Sequence, residues 1–236
     1  MRLVPAAGSP QMQRALIHRH VRAIANILFQ YLEQPELLRT VASILQTYER
    51  RAQAGLEADL EYLRVNQSRP GEAGLAPPSH VVELIQTLRN LYQQRDEDIR
   101  YQRGAILEVL VYLLVSPRYK ADECQSNHRF VDNHERYVTE QVDVAALSQN
   151  KRQAEGYECK LKASGIESSD CTSLAHLADV AQEEGYRTNV GFVTFDDEKP
   201  IRRKIARLHS SPVLNAYGLD SLGLLRNSPS RHFPMA

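Results

Sequence analysis

Apolar residues recur every three or four positions up to Pro117 and give way to strand-like alternation beyond it, so a helical part must precede a part built on β-strands. Residues 13–32 carry Leu16, Ile17, Val21, Ile24, Ile27, Leu28, Tyr31 and Leu32 at helical spacing, which predicts one amphipathic helix that stops before Pro35. Leu38, Val41, Leu45, Tyr48, Ala52, Leu56, Leu60 and Leu63 continue that spacing over about seven turns. They predict a second, long helix in an antiparallel hairpin with the first. Pro70, Gly71, Gly74, Pro77 and Pro78 then break the pattern, and Ser79 reads as a helix cap. The composition thus divides the chain into a helical region at 1–78, a second domain at 79–209 and a Ser-, Pro- and Arg-rich tail at 210–236, with a short leucine cluster at Leu219, Leu222, Leu224 and Leu225.

Val81, Val82, Leu84, Ile85, Leu88, Leu91 and Tyr92 predict a third helix, and a fourth begins near Gly104 and ends before Pro117. Ile106, Leu107, Val109, Leu110, Val111, Leu113 and Leu114 make that fourth helix apolar on nearly all sides, so it should be buried with Glu108 inside it. After Pro117, strands are expected at 129–133, 137–147 and 156–163, with the polar stretch 150–156 as the connection between the last two. A helix at 168–184, closed by Gly185, and an apolar strand at 189–195 follow. The order helix, three antiparallel strands, helix, strand predicts an α/β architecture with a mixed central sheet flanked by helices.

No apolar run approaches the roughly 20 residues of a membrane span, and no secretory signal opens the chain, so a cytoplasmic protein without a membrane partner is expected. Cys124, Cys159 and Cys171 are odd in number and irregular in spacing, which fits reduced thiols rather than a disulfide framework. Twenty-nine Lys and Arg balance 29 Asp and Glu, which leaves no global field to hold a polyanion. Nucleic acid would have to use local patches, of which Arg129 with Arg136, Lys151 with Arg152, and the run Arg202, Arg203, Lys204 and Arg207 are the candidates.

Strand alternation places Glu158 and Lys160 on one side and Cys159 on the other. Asp143 precedes Glu158 with 14 residues between them, and a hairpin folds the two strands together. Two carboxylates beside a lysine make a set of hard oxygen ligands for Mg2+, with Mn2+ able to substitute and the Cys159 carbonyl as a further ligand. Such an ion activates water and neutralises charge on a phosphodiester, while Lys160 orients the attacking water and stabilises the transition state. A carboxylate buried among aliphatic side chains needs a partner, so Glu108 would complete the shell.

The segments GAILEVLVYLL, EQVDVAAL and YECKLKA resemble the PD-(D/E)xK nucleases of the restriction-endonuclease-like fold, over roughly residues 103–195. The resemblance implies an αβββαβ core, Glu108, Asp143 and Glu158 as metal ligands, and Lys160 as the catalytic lysine. Val142 stands where the motif's name has proline. Asp197, Glu198 and Lys199 repeat the acid-x-lysine spacing but precede Pro200 and read as a turn rather than a sheet site. Lys162, Arg202, Arg203 and Lys204 are candidate nucleic-acid contacts, Tyr137 and Tyr157 are expected to pack the sheet, and His128, His134 and His176 match no zinc-knuckle spacing. The expectation is a metal-dependent endonuclease that cuts DNA as a homodimer. Alternatives are a DNA-binding or assembly subunit with a vestigial site, and an RNase or structure-specific nuclease using the same chemistry.

Overall fold

Helices fill the first half of the chain in shorter pieces than the apolar spacing predicts. The computed structural model describes residues 1–7, 10–51, 54–66 and 78–227. A short strand β1 (Arg2–Pro5) precedes α1 (Pro10–Leu16), α2 (Arg19–Gln30), α3 (Pro35–Thr47), α4 (Leu56–Asn66), α5 (Ser79–Tyr92) and α6 (Asp96–Val115). The single helix expected at 13–32 is two, because His18 turns extended and accepts a hydrogen bond from the His20 N–H as the cap of α2. The long helix expected from Leu38 to Leu63 is also two. Tyr48 is extended after α3, and Gly55 adopts φ +96° before α4, a conformation that only glycine takes without strain. At α5 the capping position belongs to Pro78 rather than Ser79, and α6 starts about two turns before Gly104.

The chain separates into two compact units that divide inside α6, one of residues 9–110 and one of residues 1–8 with 111–236. The helical unit therefore runs past 66–79, where composition suggests a boundary; residues 67–77 of that stretch lie outside the described residues. Within this unit α5 packs on α2 and α4, and α4 on α3. The Tyr92 hydroxyl donates to the Ile44 carbonyl at 3.1 Å and Arg103 Nε to the Leu45 carbonyl at 2.5 Å. These buried donors serve the last turn of α3, where helical carbonyls run out of partners within the helix.

The second unit contains β2 (Cys124–Val131), β3 (Val142–Ser148), β4 (Gln153–Lys160), α7 (Ser168–Glu183), β5 (Arg187–Thr194), α8 (Glu198–Leu208) and β6 (Leu214–Tyr217). Together with β1 the strands form one six-stranded sheet in sequence order, antiparallel from β1 to β4 and parallel from β4 to β6. The protein is thus an α/β protein with a mixed sheet, as the pattern predicts. Three elements went unpredicted. β1 and β6 are four residues each, and α8 carries Pro200 in its first turn, where a missing N–H costs no helical hydrogen bond. Asp197, Glu198 and Lys199 therefore start a helix rather than a turn, and β6 draws part of the expected tail into the sheet.

The β3–β4 register runs from Val144↔Tyr157 to Ser148↔Gln153, so the hairpin turns at 149–152 and its left-handed residue is Arg152 (φ +50°). Gly156, expected at that turn, lies within β4. A Cβ there would approach Leu177 Cδ2 to 2.8 Å, so the missing side chain lets α7 sit close against the sheet. Leu174, Leu177, Ala178 and Ala181 of α7 pack with Ala145, Leu147, Ala154, Val190 and Phe192 from the strands and with Ile201 and Ile205 of α8. Among the described residues, no helix is long and apolar enough to cross a membrane.

Candidate active site

The even-numbered residues of β4 face α7, and this face changes character along the strand. Ala154 and Gly156 are covered by the core, whereas Glu158 and Lys160 come out at the strand's C-terminal end. On β3 the same face carries Leu147, Ala145 and then Asp143. Asp143 stands one step beyond the last paired residues, Val144↔Tyr157, and that register directs it toward Glu158. Here the ladder is continued by a side chain, because Asp143 Oδ2 accepts the Cys159 N–H at 2.8 Å. Asp143, Glu158 and Lys160 all line an open cleft of about 830 Å³, walled on one side by residues 137–141 and on the other by the start of α7.

The two carboxyl groups are neighbours on this face, and each shifts the other. Burial pushes Glu158 well above the usual carboxylate range, and the charge of Asp143 pushes it further. Asp143 is also raised, by burial first, against the opposing pull of the Cys159 N–H and Lys160. Lys160 behaves oppositely. Burial would depress it, but Glu158, Asp170 and Asp143 together hold it above the usual lysine value, so it stays charged. Its Nζ lies 3.6 Å from Glu158 Oε2 and 3.1 Å from Asp170 Oδ2. The arrangement is an acidic pair short of positive charge, Glu158 buried and Asp143 half-buried, with one fixed ammonium group at its edge.

Asp170 is the residue that sequence reading missed. It lies in the first turn of α7, where its carboxylate also accepts the Glu167 N–H at 3.2 Å. An acid at this position reads as a helix-start signature, and nothing in the spacing shows that the same group reaches Lys160 across the cleft. Other expected residues fall elsewhere. Glu108 is 3% exposed on α6, inside the unit of residues 9–110. Lys162 is exposed beyond the end of β4 as the cap of a 3₁₀ turn, not on the strand face. Arg202, Arg203 and Lys204 lie on α8, with Arg202 paired to Glu198, and none of these four lines the cleft of Asp143. Tyr157 is fully buried as expected, but Tyr137 is 66% exposed at the cleft wall.

The opposite face of β4 holds a second buried carboxylate. Glu155 is 0% exposed and receives Arg118 through two hydrogen bonds, 2.6 Å to Oε1 and 2.7 Å to Oε2. The Tyr119 hydroxyl donates to Oε1 at 2.5 Å and the Tyr157 hydroxyl to Oε2 at 2.6 Å. Asn189 Nδ2 donates to the Tyr157 hydroxyl, and the Tyr217 hydroxyl donates to Asn189 Oδ1.

As a cation site, the donor set can be judged on its chemistry. Among the described residues, no three or more His, Cys, Asp and Glu side chains are grouped to hold an ion. Two adjacent carboxylates that repel one another match the demand of magnesium, which typically takes one or two carboxylates and fills its remaining positions with water and substrate oxygens. Asp143 and Glu158 fit that role, beside the backbone of Cys159. The chain matches no protein-family model and no curated protein sequence.

Proposed function

We propose that the protein is a divalent-metal-dependent phosphodiesterase acting on nucleic acid, DNA in the first instance, through a restriction-endonuclease-like core with Asp143, Glu158 and Lys160 as its site. The observation that carries this reading is the mutual strain of Asp143 and Glu158. Two carboxyl groups, Glu158 buried and Asp143 half-buried, are neighbours at the mouth of a cleft rather than in the core, and both are raised above their ordinary range. Such a pair is costly unless a cation neutralises it, and perturbed acids in a cleft mark functional sites. Asp143 and Glu158 would hold Mg2+ or Mn2+, which supplies an activated water and offsets charge on the phosphate. Lys160, kept charged by its three acidic neighbours, sits where it can orient that water and donate a hydrogen bond to a phosphate oxygen. A homodimer, one site per strand, would suit the cutting of a duplex.

Cleavage of plasmid, linear, single-stranded and branched DNA and of RNA, with magnesium, manganese or chelator, tests this reading. Metal-dependent cutting should fall by about 10²–10³-fold or more in Asp143→Ala and Lys160→Ala. Cutting that persists in both variants, or in chelator, contradicts it. DNA binding without cutting would favour instead an assembly subunit with a vestigial site.

A further inference from the structure

The walls of the cleft carry more than the acidic pair and its lysine. One wall is a stripe on α7, where Thr172 and Ser173 lie three and four residues after Ser169 and His176 lies four and three after them, so all face the cleft that begins at Lys160 and Asp170. Thr172 turns its hydroxyl back onto the Ser168 carbonyl at 3.0 Å, whereas the side chains of Ser173 and His176 make no hydrogen bond to any described residue. The other wall begins with Tyr137, a large aromatic ring left 66% exposed. Arg129 stacks on this ring, its guanidinium carbon 4.6 Å from the ring centre, and Arg129 Nε is buried without a hydrogen-bond partner. An exposed ring backed by a cation is a platform for a flat, electron-rich group, and every nucleobase has such a face. Hydroxyl and imidazole donors on the facing wall suit phosphate oxygens. The cleft itself, at about 830 Å³, has the size of a site for a small ligand such as an extruded or unpaired nucleotide.

We infer that the substrate of this site is an unpaired nucleic-acid strand, with a base stacked on Tyr137 and the neighbouring backbone held by Ser173 and His176 as it approaches Asp143 and Glu158. This rests on the phosphodiesterase reading above and narrows its substrate class. A duplex buries the faces of its bases against one another, so Tyr137 could serve only a single strand, a branch point or an extruded nucleotide.

Binding of a labelled single-stranded DNA of about 12 nucleotides, and of the same sequence as duplex, is measured by fluorescence anisotropy with the full chain, calcium replacing magnesium. The single strand should bind about 10-fold or more tightly than the duplex. Tyr137→Ala should weaken it by about 10-fold while Tyr137→Phe, which keeps the ring, leaves it within about 2-fold. The double variant Ser173→Ala/His176→Ala should lose about 3–10-fold. All of these positions are at the surface, and circular dichroism melting confirms that each variant folds. Equal or tighter binding of the duplex, no binding of either form, or wild-type affinity in Tyr137→Ala overturns the inference. The two readings fail separately. Cutting abolished by Asp143→Ala with Tyr137→Ala binding normally removes only the unpaired-strand inference. The expected binding pattern without metal-dependent cutting removes only the hydrolytic one.

Discussion

Glu155 and Glu158 lie three residues apart on the same strand and are both almost completely hidden from solvent, yet their surroundings are opposites. Glu155 meets a guanidinium in bidentate geometry, two tyrosine hydroxyls and the Gln153 amide, so every oxygen is served by a donor. Glu158 meets another carboxyl group, and one lysine that it shares with Asp170. A buried charge whose partners are complete is scaffold. A buried carboxyl left beside another, at the mouth of a cleft, is costly to ionise and is completed when a cation binds between the two. Strand alternation separates the two roles, because odd residues of β4 face the tyrosine cluster and even residues face α7 and the cleft.

The comparison is broken most forcefully at Glu155. Glu155→Ala strands Arg118, whose side chain is only 14% exposed, and should destabilise the fold by about 3–5 kcal/mol in urea unfolding. An equal loss from Glu158→Ala would erase the distinction. Glu158→Gln should act in the opposite direction. Because its carboxyl is raised above the unfolded value, the folded protein keeps a proton that the unfolded chain releases. That contribution to stability is complete below the ordinary carboxylate range and is lost as pH rises through the raised value. Without metal, Glu158→Gln should therefore be more stable than the natural protein by about 1–2 kcal/mol at neutral pH, with the gap closing as pH falls toward the unfolded carboxylate range. A gap that widens in acid would contradict the assignment. The smallest effect belongs to Asp170→Asn, which loosens a partly exposed ion pair on Lys160. Turnover should drop by about 2–5-fold with little change in KM, read from steady-state cleavage.

Much of the site was legible in the sequence because alternation is local. Glu158, Lys160 and the preceding hairpin could be placed from residue spacing, and the structure brings Asp143 to the same pair. What was not legible depends on tertiary packing. Asp170 reaches Lys160 only because Gly156 lets α7 close on the sheet, and a glycine in a polar stretch reads as a turn. Pro200 likewise reads as a break, although in the first turn of α8 it is compatible with a helix. The helical region was overextended because apolar spacing continues through Ile17 and Tyr48, where the backbone leaves the helix; periodicity reports which side is buried, not whether the chain is continuous.

The measurement that bears most directly on the Glu158 face is calorimetric titration of the metal-free protein with Mn2+ near pH 6, in two buffers of different ionisation enthalpy. Both carboxyls are raised above their ordinary range, so a cation competes there with protons, and binding should release protons, give different apparent enthalpies in the two buffers, and disappear in Asp143→Asn and Glu158→Gln while surviving in Tyr157→Phe on the opposite face. No binding, or binding without proton release that both site variants retain, would show that the acidic pair does not hold a metal.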